Sequence, residues 1–523
     1  MNKDLEIPEE DFRITLRVLE QVGDFPSDHL QSRQLQQAVA KLFKAVKKQR
    51  RQAAKQRRQT NDASVLARTA TANPQRIDDE TAGLVPTPAA LTPPTSAHLD
   101  SGQSALGNTH ARIAAEVATP HGWAGKLYRA NKCYICKQPY TLVDSFHHQL
   151  CPDCAADNRA RREARVDLSG RRALLTGGRA KIGMYIALKL LRDGADVTIT
   201  TRFPKDAVRR FCAVADSDAW LDRLHVVGID LRDPNQVEDL AERMSAQPLD
   251  ILINNAAQTV RRLPGAYSGL IDAETAPLTA AESSVDCVSL GATSTLHPAV
   301  LVGGDAQALG EAAPRPVVDA DAVSAQIHAA RLAALALTGG SAALERVADG
   351  TAVDAGGLIP DQVEHNSWVA TIGEVDPLEL LEVQLCNATA PFILLNRLRP
   401  ALEASKARRK YVVNVSAMEG VFHRGYKGPG HPHTNMAKAA LNMLTRTSSA
   451  ELFEHGILMT SVDTGWITDE RPHTLKQQMA SQGFHAPLDL VDGAARVYDP
   501  IVQGENGVDL YGCFLKDFRP HPW

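Results

Sequence analysis

The chain has 523 residues, of which 44% are hydrophobic and 23% charged, and its formal net charge is −4. This length allows about three domains at roughly 150 residues each, and the composition excludes a disordered, collagen-like or polybasic chain. The sequence lacks a run of about 18 uncharged apolar residues, and its first residues are acidic where a secretory signal is basic and then apolar. We therefore expect a cytoplasmic protein without membrane insertion.

Residues 1–59 predict a helical arm. Apolar residues recur at helical spacing from Phe12 to Leu19 and again from Leu30 to Val46. Nine Lys or Arg residues and no acid lie between Lys41 and Arg58. Such a run is typical of a solvated helix face, and it also permits docking to nucleic acid or to an acidic protein.

Two stretches differ in composition from the rest of the chain. Residues 60–115 are rich in Ala, Thr, Pro, Ser and Gly, which predicts a disordered linker because such a segment buries too little apolar surface to offset its entropy. Residues 258–366 are rich in Ala, Gly, Leu and Val and poor in cations. We interpret this second stretch as an insertion into the domain that surrounds it.

Four of the eight cysteines form two CxxC pairs separated by 14 residues, namely Cys133, Cys136, Cys151 and Cys154. This spacing is typical of structural zinc sites, in which two tight turns supply four thiolates and leave no open position for catalysis. Residues 116–165 therefore predict a small module that holds a structural Zn²⁺. His147 and His148 are expected at the surface, because four cysteines already complete the metal shell.

A strand-helix-strand unit begins at Arg172. The strand 172–176 leads into the turn TGGRAKIG (176–183), then a helix, then a second strand at 197–201. Glycines in such a turn let the backbone approach a pyrophosphate, which the N-terminus of the next helix also attracts. Strands and helices continue to alternate, so residues 166–523 predict an α/β fold with a doubly wound parallel Rossmann sheet.

This domain resembles the short-chain dehydrogenase/reductase family, with seven landmarks in the family's order. They are TGGRAKIG, Asp230-Leu231, Asn254-Asn255-Ala256-Ala257, Asn387, Ser416, Lys438 and the turn Thr464-Gly465-Trp466-Ile467-Thr468. The resemblance implies an oxidoreductase that acts on a small-molecule carbonyl or alcohol. It also implies a homo-oligomer that pairs through the helices carrying Asn387 and Lys438.

The resemblance also implies a dinucleotide site. Asp230 would contact the adenine, Lys438 the nicotinamide ribose, and Thr468 the nicotinamide amide or the diphosphate. Asn255 would support the end of the fourth strand beside the nicotinamide. The full set of implied cofactor-binding residues is Thr176, Gly177, Gly178, Arg179, Lys181, Ile182, Gly183, Arg202, Asp230, Leu231, Asn255, Ala256, Lys438 and Thr468.

The end of the second strand bears on the choice between NADP(H) and NAD(H). It reads Thr200-Thr201-Arg202 and carries no acid. A ribose 2′-phosphate would be attracted by Arg202 and Arg179, whereas a carboxylate there would repel it. We therefore favour NADP(H).

Two departures from the family pattern concern the chemistry. Lys181 stands where the family has a glycine, and Thr434 stands four residues before Lys438, where the family has its catalytic Tyr. Without a phenol at that position, the lysine has no acidic hydroxyl to activate along its helix face. The catalytic residues expected here are Ser416, Lys438 and Asn387, with Tyr426 or His433 as substitute proton donor.

The missing Tyr leaves two functions open. One is an NADP(H)-dependent oxidoreductase that uses a substitute acid. The other is a catalytically impaired nucleotide-binding scaffold or sensor, in which the zinc module and the basic arm recruit a partner.

Overall fold

The computed structural model describes residues 7–26, 29–73, 122–262, 264–291, 293–294, 296–298, 356–358 and 363–523. Most of the interpreted linker, from residue 74 onward, and residues 299–355 of the interpreted insertion lie outside this part of the chain. The chain divides into two compact units. One comprises Met1–Val65 with Leu127–Arg129, and the other comprises Leu66–Lys126 with Ala130–Trp523.

The first unit contains the helical arm. Helix α1 spans Glu9–Gln21 and helix α2 spans Leu30–Ala67. The nine basic side chains between Lys41 and Arg58 are all exposed on α2. Near the end of α2 the Asp62 carboxylate accepts hydrogen bonds from the backbone N–H groups of Tyr128 and Arg129, at 2.7 and 3.1 Å. Because α2 reaches Ala67, the helix continues past residue 59, where the sequence placed the end of the arm.

A small cysteine-bearing module lies in the second unit, except for Leu127–Arg129 of its first strand. Strands β1 (Trp123–Lys132) and β2 (Pro139–Asp144) pair antiparallel, and helix α3 (Pro152–Glu163) follows. Thr71 also belongs to this module, because its N–H donates to the Phe146 carbonyl at 2.9 Å and its hydroxyl contacts His148 Nδ1 at 2.7 Å. The linker predicted from residue 60 therefore cannot begin before residue 73.

In the part of the chain that the structure describes, a nine-stranded sheet forms the centre of the second unit. Its strands are β3 (Arg172–Leu175), β4 (Asp196–Thr201), β5 (Leu224–Gly228), β6 (Ile251–Asn254), β7 (Asp286–Ser289), β8 (Lys410–Ser416), β9 (Ile457–Asp463), β10 (Phe514–Lys516) and β11 (Arg519–His521). They lie in the order β11-β10-β9-β8-β6-β3-β4-β5-β7. All neighbours pair parallel except β10 and β11. The predicted parallel Rossmann sheet is confirmed.

Helices cover this sheet in two groups. Every residue of β8 and β9 is buried, as expected for parallel strands with both faces covered. Among the described residues, the further helices of this unit are α4 (Lys181–Arg192), α5 (Pro204–Cys212), α6 (Pro234–Ser245), α7 (Ser268–Thr275), α8 (Pro377–Gln384), α9 (Ala390–Glu403), α10 (Pro432–Glu454), α11 (His473–Ser481) and α12 (Leu490–Glu505). Leu174, Leu252, Val412 and Met459 pack in one core with helices α6, α9 and α10. Helices α4 and α12 contact each other and form the second group.

The edge strand β7 lies inside the segment interpreted as an insertion (258–366). Its residues pair parallel with β5, from His225 opposite Asp286 to Gly228 opposite Ser289. The first part of the segment therefore belongs to the sheet.

One continuous helical stretch, Pro377–Glu403, is long and apolar enough to span a membrane by length and composition. Its residues Leu394, Leu398 and Leu402 are fully buried against the sheet. We therefore interpret this stretch as a core helix.

Candidate functional site

A cavity of about 390 Å³ opens at the carboxyl ends of the parallel strands. Its wall includes Gly177 after β3, Arg202 after β4, Asp230 after β5, Ala256 after β6 and Thr468 after β9. We call it the strand-end cavity. The chain runs from β3 outward to β4 and β5, then returns to the opposite side of β3 with β6. The cavity therefore lies at the topological switch point, where open α/β sheets bind their ligands.

The glycine turn forms the floor of this cavity. Gly177 has φ +70°, which favours glycine, and a Cβ on Gly183 would lie 1.9 Å from the Gly177 carbonyl oxygen. Asn255 holds the turn from the next strand, because its Nδ2 donates to the carbonyls of Thr176 and Gly177 at 3.1 and 3.0 Å. The Thr176 hydroxyl accepts from the N–H groups of Asn255 and Ala256. The turn therefore depends on two glycines for its backbone geometry and on the side chains of Thr176 and Asn255 for its hydrogen bonds.

Lys181 begins α4 in a left-handed conformation, with φ +53°. This is the position at which the family has a glycine, so the lysine has replaced the residue type that the backbone favours. The pKa of the neighbouring Glu470 responds to this cation. Burial alone would raise that pKa, but the positive charges of Lys181 and Arg262 hold it below its usual value.

Arg202, directly after β4, and Arg179, in the glycine turn after β3, both line the cavity. The Arg202 guanidinium lies over the ring of Tyr267 at 5.4 Å and the ring of Phe203 at 5.8 Å. Arg179 pairs with the buried carboxylate of Asp206, which also pairs with Arg210. Arg202 therefore has aromatic contacts on the cavity wall, whereas Arg179 already has a carboxylate partner.

A buried ion-pair network lies at the end of β5. Arg232 pairs with Asp230 at 2.7 Å and with Glu382 of α8 at 2.7 Å. Burial would raise the pKa of Asp230, but Arg232 and His297 hold it well below its usual value. Arg261 reaches the same Glu382 at 3.5 Å. The network links β5, α8 and the segment after β6 around one side of the cavity.

The structure places most of the implied cofactor-binding residues together. Thr176, Gly178 and Lys438 do not line the strand-end cavity, although the first two belong to the turn that does. Those that line it are Gly177, Arg179, Lys181, Ile182, Gly183, Arg202, Asp230, Leu231, Asn255, Ala256 and Thr468.

Ser416 and Lys438 lie close together, and the polar group of each side chain donates a hydrogen bond to another residue of the protein. The Ser416 hydroxyl donates to Asn442 Oδ1 at 2.6 Å, and Lys438 Nζ donates to the carbonyl of Val415 at 2.7 Å. Burial lowers the pKa of Lys438 to about 8. Asn387 lies in a π-helical turn, Leu385–Thr389, and its side chain donates to and accepts from the backbone of Gln258, a cavity residue.

The expected substitute acids lie elsewhere. Tyr426 is 76% exposed. His433 is buried on α10, where its Nε2 is 3.6 Å from Glu379 Oε1. The Thr434 hydroxyl donates to the carbonyl of His431 at 2.9 Å. Neither Tyr426 nor His433 lines the strand-end cavity, so the structure does not bring these two expected donors to it.

Sequence reasoning missed several charged residues of the cavity. Arg232 follows Asp230 by two positions, and Glu470 follows Thr468 by two, so both were visible beside known landmarks. Cys386 also lines the cavity, directly before Asn387, and burial raises the pKa of its thiol to about 11. The missed residues are Arg232, Arg261, Arg262, Glu382, Cys386 and Glu470.

The four cysteines of the CxxC pairs form a separate cluster. The four Sγ atoms all lie within 4.8 Å of one another; they belong to Cys133, Cys136, Cys151 and Cys154. The Sγ atoms of Cys136 and Cys151 are 3.6 Å apart. Four convergent thiols are a donor set that fits a tetrahedral Zn²⁺.

The two histidines next to this cluster are buried, which corrects the expectation of surface positions. His147 is 1% exposed, and its Nε2 lies 3.1 Å from Asp492 Oδ2 on α12. His148 is 5% exposed and contacts Thr71. Both histidines are therefore buried residues that hydrogen bond within the protein.

Comparison with known proteins gives one family match. Residues 171–288 match the model of the short chain dehydrogenase family. The chain is 30% identical over 382 residues to an uncharacterized protein of Acanthamoeba polyphaga mimivirus, which is 71% of this chain and 71% of that protein. It is 41% identical over 91 residues to a probable oxidoreductase of Streptomyces lividans, which covers 17% of this chain and 30% of the relative.

Solved structures resemble the chain at lower identity. The NADPH-bound carbonyl reductase from chicken fatty liver is 18% identical, with a TM-score of 0.39. The match covers 69% of this chain and 100% of the reductase.

Proposed function

We propose that the chain is an oxidoreductase of the short-chain dehydrogenase family, whose model matches residues 171–288, and that it uses NADP(H) to interconvert a carbonyl and an alcohol. The observation that carries this proposal is the charge of the strand-end cavity. Six cationic side chains line it against three carboxylates, namely Arg179, Lys181, Arg202, Arg232, Arg261 and Arg262 against Asp230, Glu382 and Glu470. Such an excess of positive charge favours a ligand with several phosphates.

The parts of the dinucleotide have separate partners in this proposal. The pyrophosphate would be held at the glycine turn by the N-terminus of α4, because the positive end of a helix dipole attracts phosphate. The 2′-phosphate would be held by Arg202, whose guanidinium can donate to phosphate oxygens in a fixed geometry. Thr468 lies on the loop at the opposite side of the cavity and would meet the nicotinamide end.

When bound, the cofactor supplies or accepts the hydride. In this proposal Ser416 donates its hydroxyl to the substrate oxygen after leaving Asn442, and Asn387 holds the segment at Gln258 that borders the cavity. Lys438 would hold the nicotinamide ribose through its Nζ, which would first have to leave the carbonyl of Val415. Tyr426 or His433 remains the proposed proton donor, and each would have to move to reach the cavity.

The direct test is a titration of the full-length protein with NADPH and, separately, with NADH, followed by nicotinamide fluorescence. We expect tighter binding of NADPH. Arg202→Gln should weaken NADPH binding about tenfold and leave NADH binding unchanged, because only the 2′-phosphate loses its partner. Arg446→Gln is the matched control, since Arg446 is exposed on α10 and does not line the cavity. Equal affinity of the wild type for both cofactors would reject the NADP(H) preference.

A nucleotide-binding scaffold is the second candidate function. The observation that favours it is the state of the expected catalytic groups. The Ser416 hydroxyl is hydrogen-bonded to Asn442, Lys438 Nζ is hydrogen-bonded to the carbonyl of Val415, and a threonine stands in place of the phenol. Tight NADPH binding without oxidation by a panel of aldehydes and ketones supports the scaffold. Turnover that is lost in the Ser416→Ala variant supports the oxidoreductase.

We also propose a structural Zn²⁺ at the four-cysteine cluster. Metal analysis of the purified protein should give one zinc per chain. Cys136→Ser should remove it and lower the melting temperature, because metal binding contributes folding free energy in such modules. Cys212→Ser, at the end of α5 and outside the cluster, should retain the zinc.

A homo-oligomer is a further part of the proposal. Phe392 on α9 and Met436 and Met443 on α10 are all more than half exposed, and these helices follow or carry Asn387 and Lys438. Exposed apolar side chains on adjoining helices favour a protein interface. Light scattering should give a dimer or tetramer, and Phe392→Asp should shift it toward the monomer. Docking of a partner to the basic residues of α2 stays a prediction from the sequence.

A further inference from the structure

Tyr134 connects the four-cysteine cluster to the loop that lines the strand-end cavity. It stands between Cys133 and Cys136, inside the first CxxC turn. Its hydroxyl oxygen accepts a hydrogen bond from the backbone N–H of Trp466 at 3.0 Å. Two ammonium groups lie over its ring, Lys137 Nζ at 5.1 Å and Lys516 Nζ at 5.5 Å from the ring centroid. The ring therefore has a cationic contact from the module and another from strand β10.

The loop that Tyr134 contacts is part of the cavity wall. Trp466 directly precedes Ile467 and Thr468, which both line the cavity. On its other side the Trp466 carbonyl accepts from the N–H of Leu488 at 3.3 Å. The Trp466 ring lies 5.1 Å from the ring of Phe484. The loop therefore lies between the module and residues 484–488, and Tyr134 supplies the module's hydrogen bond to it.

A second set of contacts joins the module to the first turn of α12. His147 and Asn158 both bond to Asp492, at 3.1 and 2.6 Å, and Arg162 pairs with Asp489 at 2.5 Å. Asp489 is the N-cap of α12 and forms a capping box with Asp492. The module therefore binds the two carboxylates that begin this helix.

This first turn of α12 also supports the cavity. Leu490 lines the cavity directly. A Cβ on Gly493 would lie 3.0 Å from Ile467 Cδ1 and 3.4 Å from Ile182 Cδ1, so the helix packs closely on two lining residues. The module therefore contacts two segments that each contribute neighbouring residues to the cavity wall.

We infer that the four-cysteine module is a positioning element for the strand-end cavity, and that Tyr134 sets the position of residues 466–468 there. The inference rests on the proposed function of that cavity as a nucleotide site. The four thiols fix the turn that carries Tyr134, and Tyr134 N–H is bonded to the carbonyl of Gln149 beside the second CxxC pair at 2.7 Å. A metal bound by the thiols would hold the two turns together, and its loss would release the Tyr134 contact.

The test removes one hydroxyl from the full-length protein. In Tyr134→Phe the Trp466 N–H loses its acceptor while the four thiols remain. Hydrogen exchange of the Trp466 amide, followed by mass spectrometry of peptides covering residues 460–470, should become about tenfold faster, and NADPH affinity should fall about three- to tenfold. The zinc content should equal that of the wild type.

Tyr140→Phe is the matched control. Tyr140 is buried in the same module, and its hydroxyl donates to the carbonyl of His148 rather than to the cavity loop. This variant should leave both the exchange of the Trp466 amide and the NADPH affinity unchanged.

Two results overturn the inference: unchanged Trp466 exchange in Tyr134→Phe, or equal changes in Tyr134→Phe and Tyr140→Phe.

Failure of the proposed function gives a different pattern. In that case the wild type does not bind NADPH, while the exchange at Trp466 still responds to Tyr134→Phe, which supports the positioning of the loop and removes only its link to a nucleotide.

Discussion

Arg232 lies across Asp230 in a buried bidentate ion pair, with Nη2 2.7 Å from Oδ2 and Nε 2.9 Å from Oδ1. The remaining nitrogen, Nη1, is 2.7 Å from Glu382 Oε1 on α8. One guanidinium therefore compensates two buried carboxylates at the end of β5. The carboxylate that the family resemblance assigns to the adenine is held in one orientation by this contact.

Arg232→Met should destabilise the fold by about 3–5 kcal/mol, because it leaves buried carboxylates without their cation. Urea unfolding at pH 7 measures this change. Arg397→Met is the control, since Arg397 pairs with Glu238 on the surface and we expect a much smaller loss. Equal losses in the two variants would show that the buried network contributes no more than a surface pair.

Lys181 offers a test of backbone strain at the glycine turn. Both Lys181→Gly and Lys181→Ala remove the ammonium, so both should weaken NADPH binding to a similar extent. Only glycine adopts φ +53° without a steric cost, so Lys181→Gly should be more stable than Lys181→Ala by about 1 kcal/mol. Thermal and urea unfolding of the two variants give this difference. Equal stabilities would mean that the left-handed conformation at this position carries no strain.

The glycine turn was predictable from the sequence because the backbone itself dictates its residues. Gly177 needs a positive φ, and Gly183 has no room for a Cβ against the Gly177 carbonyl. The Arg202 side of the cavity was also predictable, since the residue directly follows an apolar strand. In each case a local pattern of residues fixes the local geometry.

The contacts that sequence reasoning missed depend on residues far apart in the chain. Arg232 and Glu382 are 150 positions apart, and His147 and Asp492 are 345 apart. Neither pairing leaves a local pattern, because each forms only when distant elements pack together. Strand β7 is hidden for a different reason: its residues DCVS carry little apolar character and none of them is fully buried.

Lys438 predicts a pH dependence of stability. Burial lowers its pKa to about 8 in the folded protein, whereas the unfolded residue titrates at its ordinary value of 10.5. Between these values the unfolded state binds more protons, so the contribution of Lys438 to stability rises with pH. The wild type should gain about 2 kcal/mol relative to Lys438→Met between pH 8 and pH 10. Urea unfolding of both proteins at several pH values measures it, and parallel curves would contradict the lowered pKa.

Thr434 is the position at which the missing phenol can be restored. Residues 434 and 438 lie one turn apart on α10, and Thr434 and Lys438 are both buried. In Thr434→Tyr the ammonium of Lys438 should lower the pKa of the new phenol, which supplies the proton that carbonyl reduction needs.

We expect Thr434→Tyr to oxidise NADPH at least about tenfold faster than the wild type with a panel of aldehydes and ketones, because positioned general acids contribute about 10²–10⁴ in rate. Thr434→Phe is the matched control, since it has the same ring without the acid. Melting temperatures of both variants establish that the larger side chain is tolerated. If both variants fold and show the same rate, a phenol at residue 434 does not reach the reacting oxygen, and Ser416 and Lys438 do not face a nicotinamide.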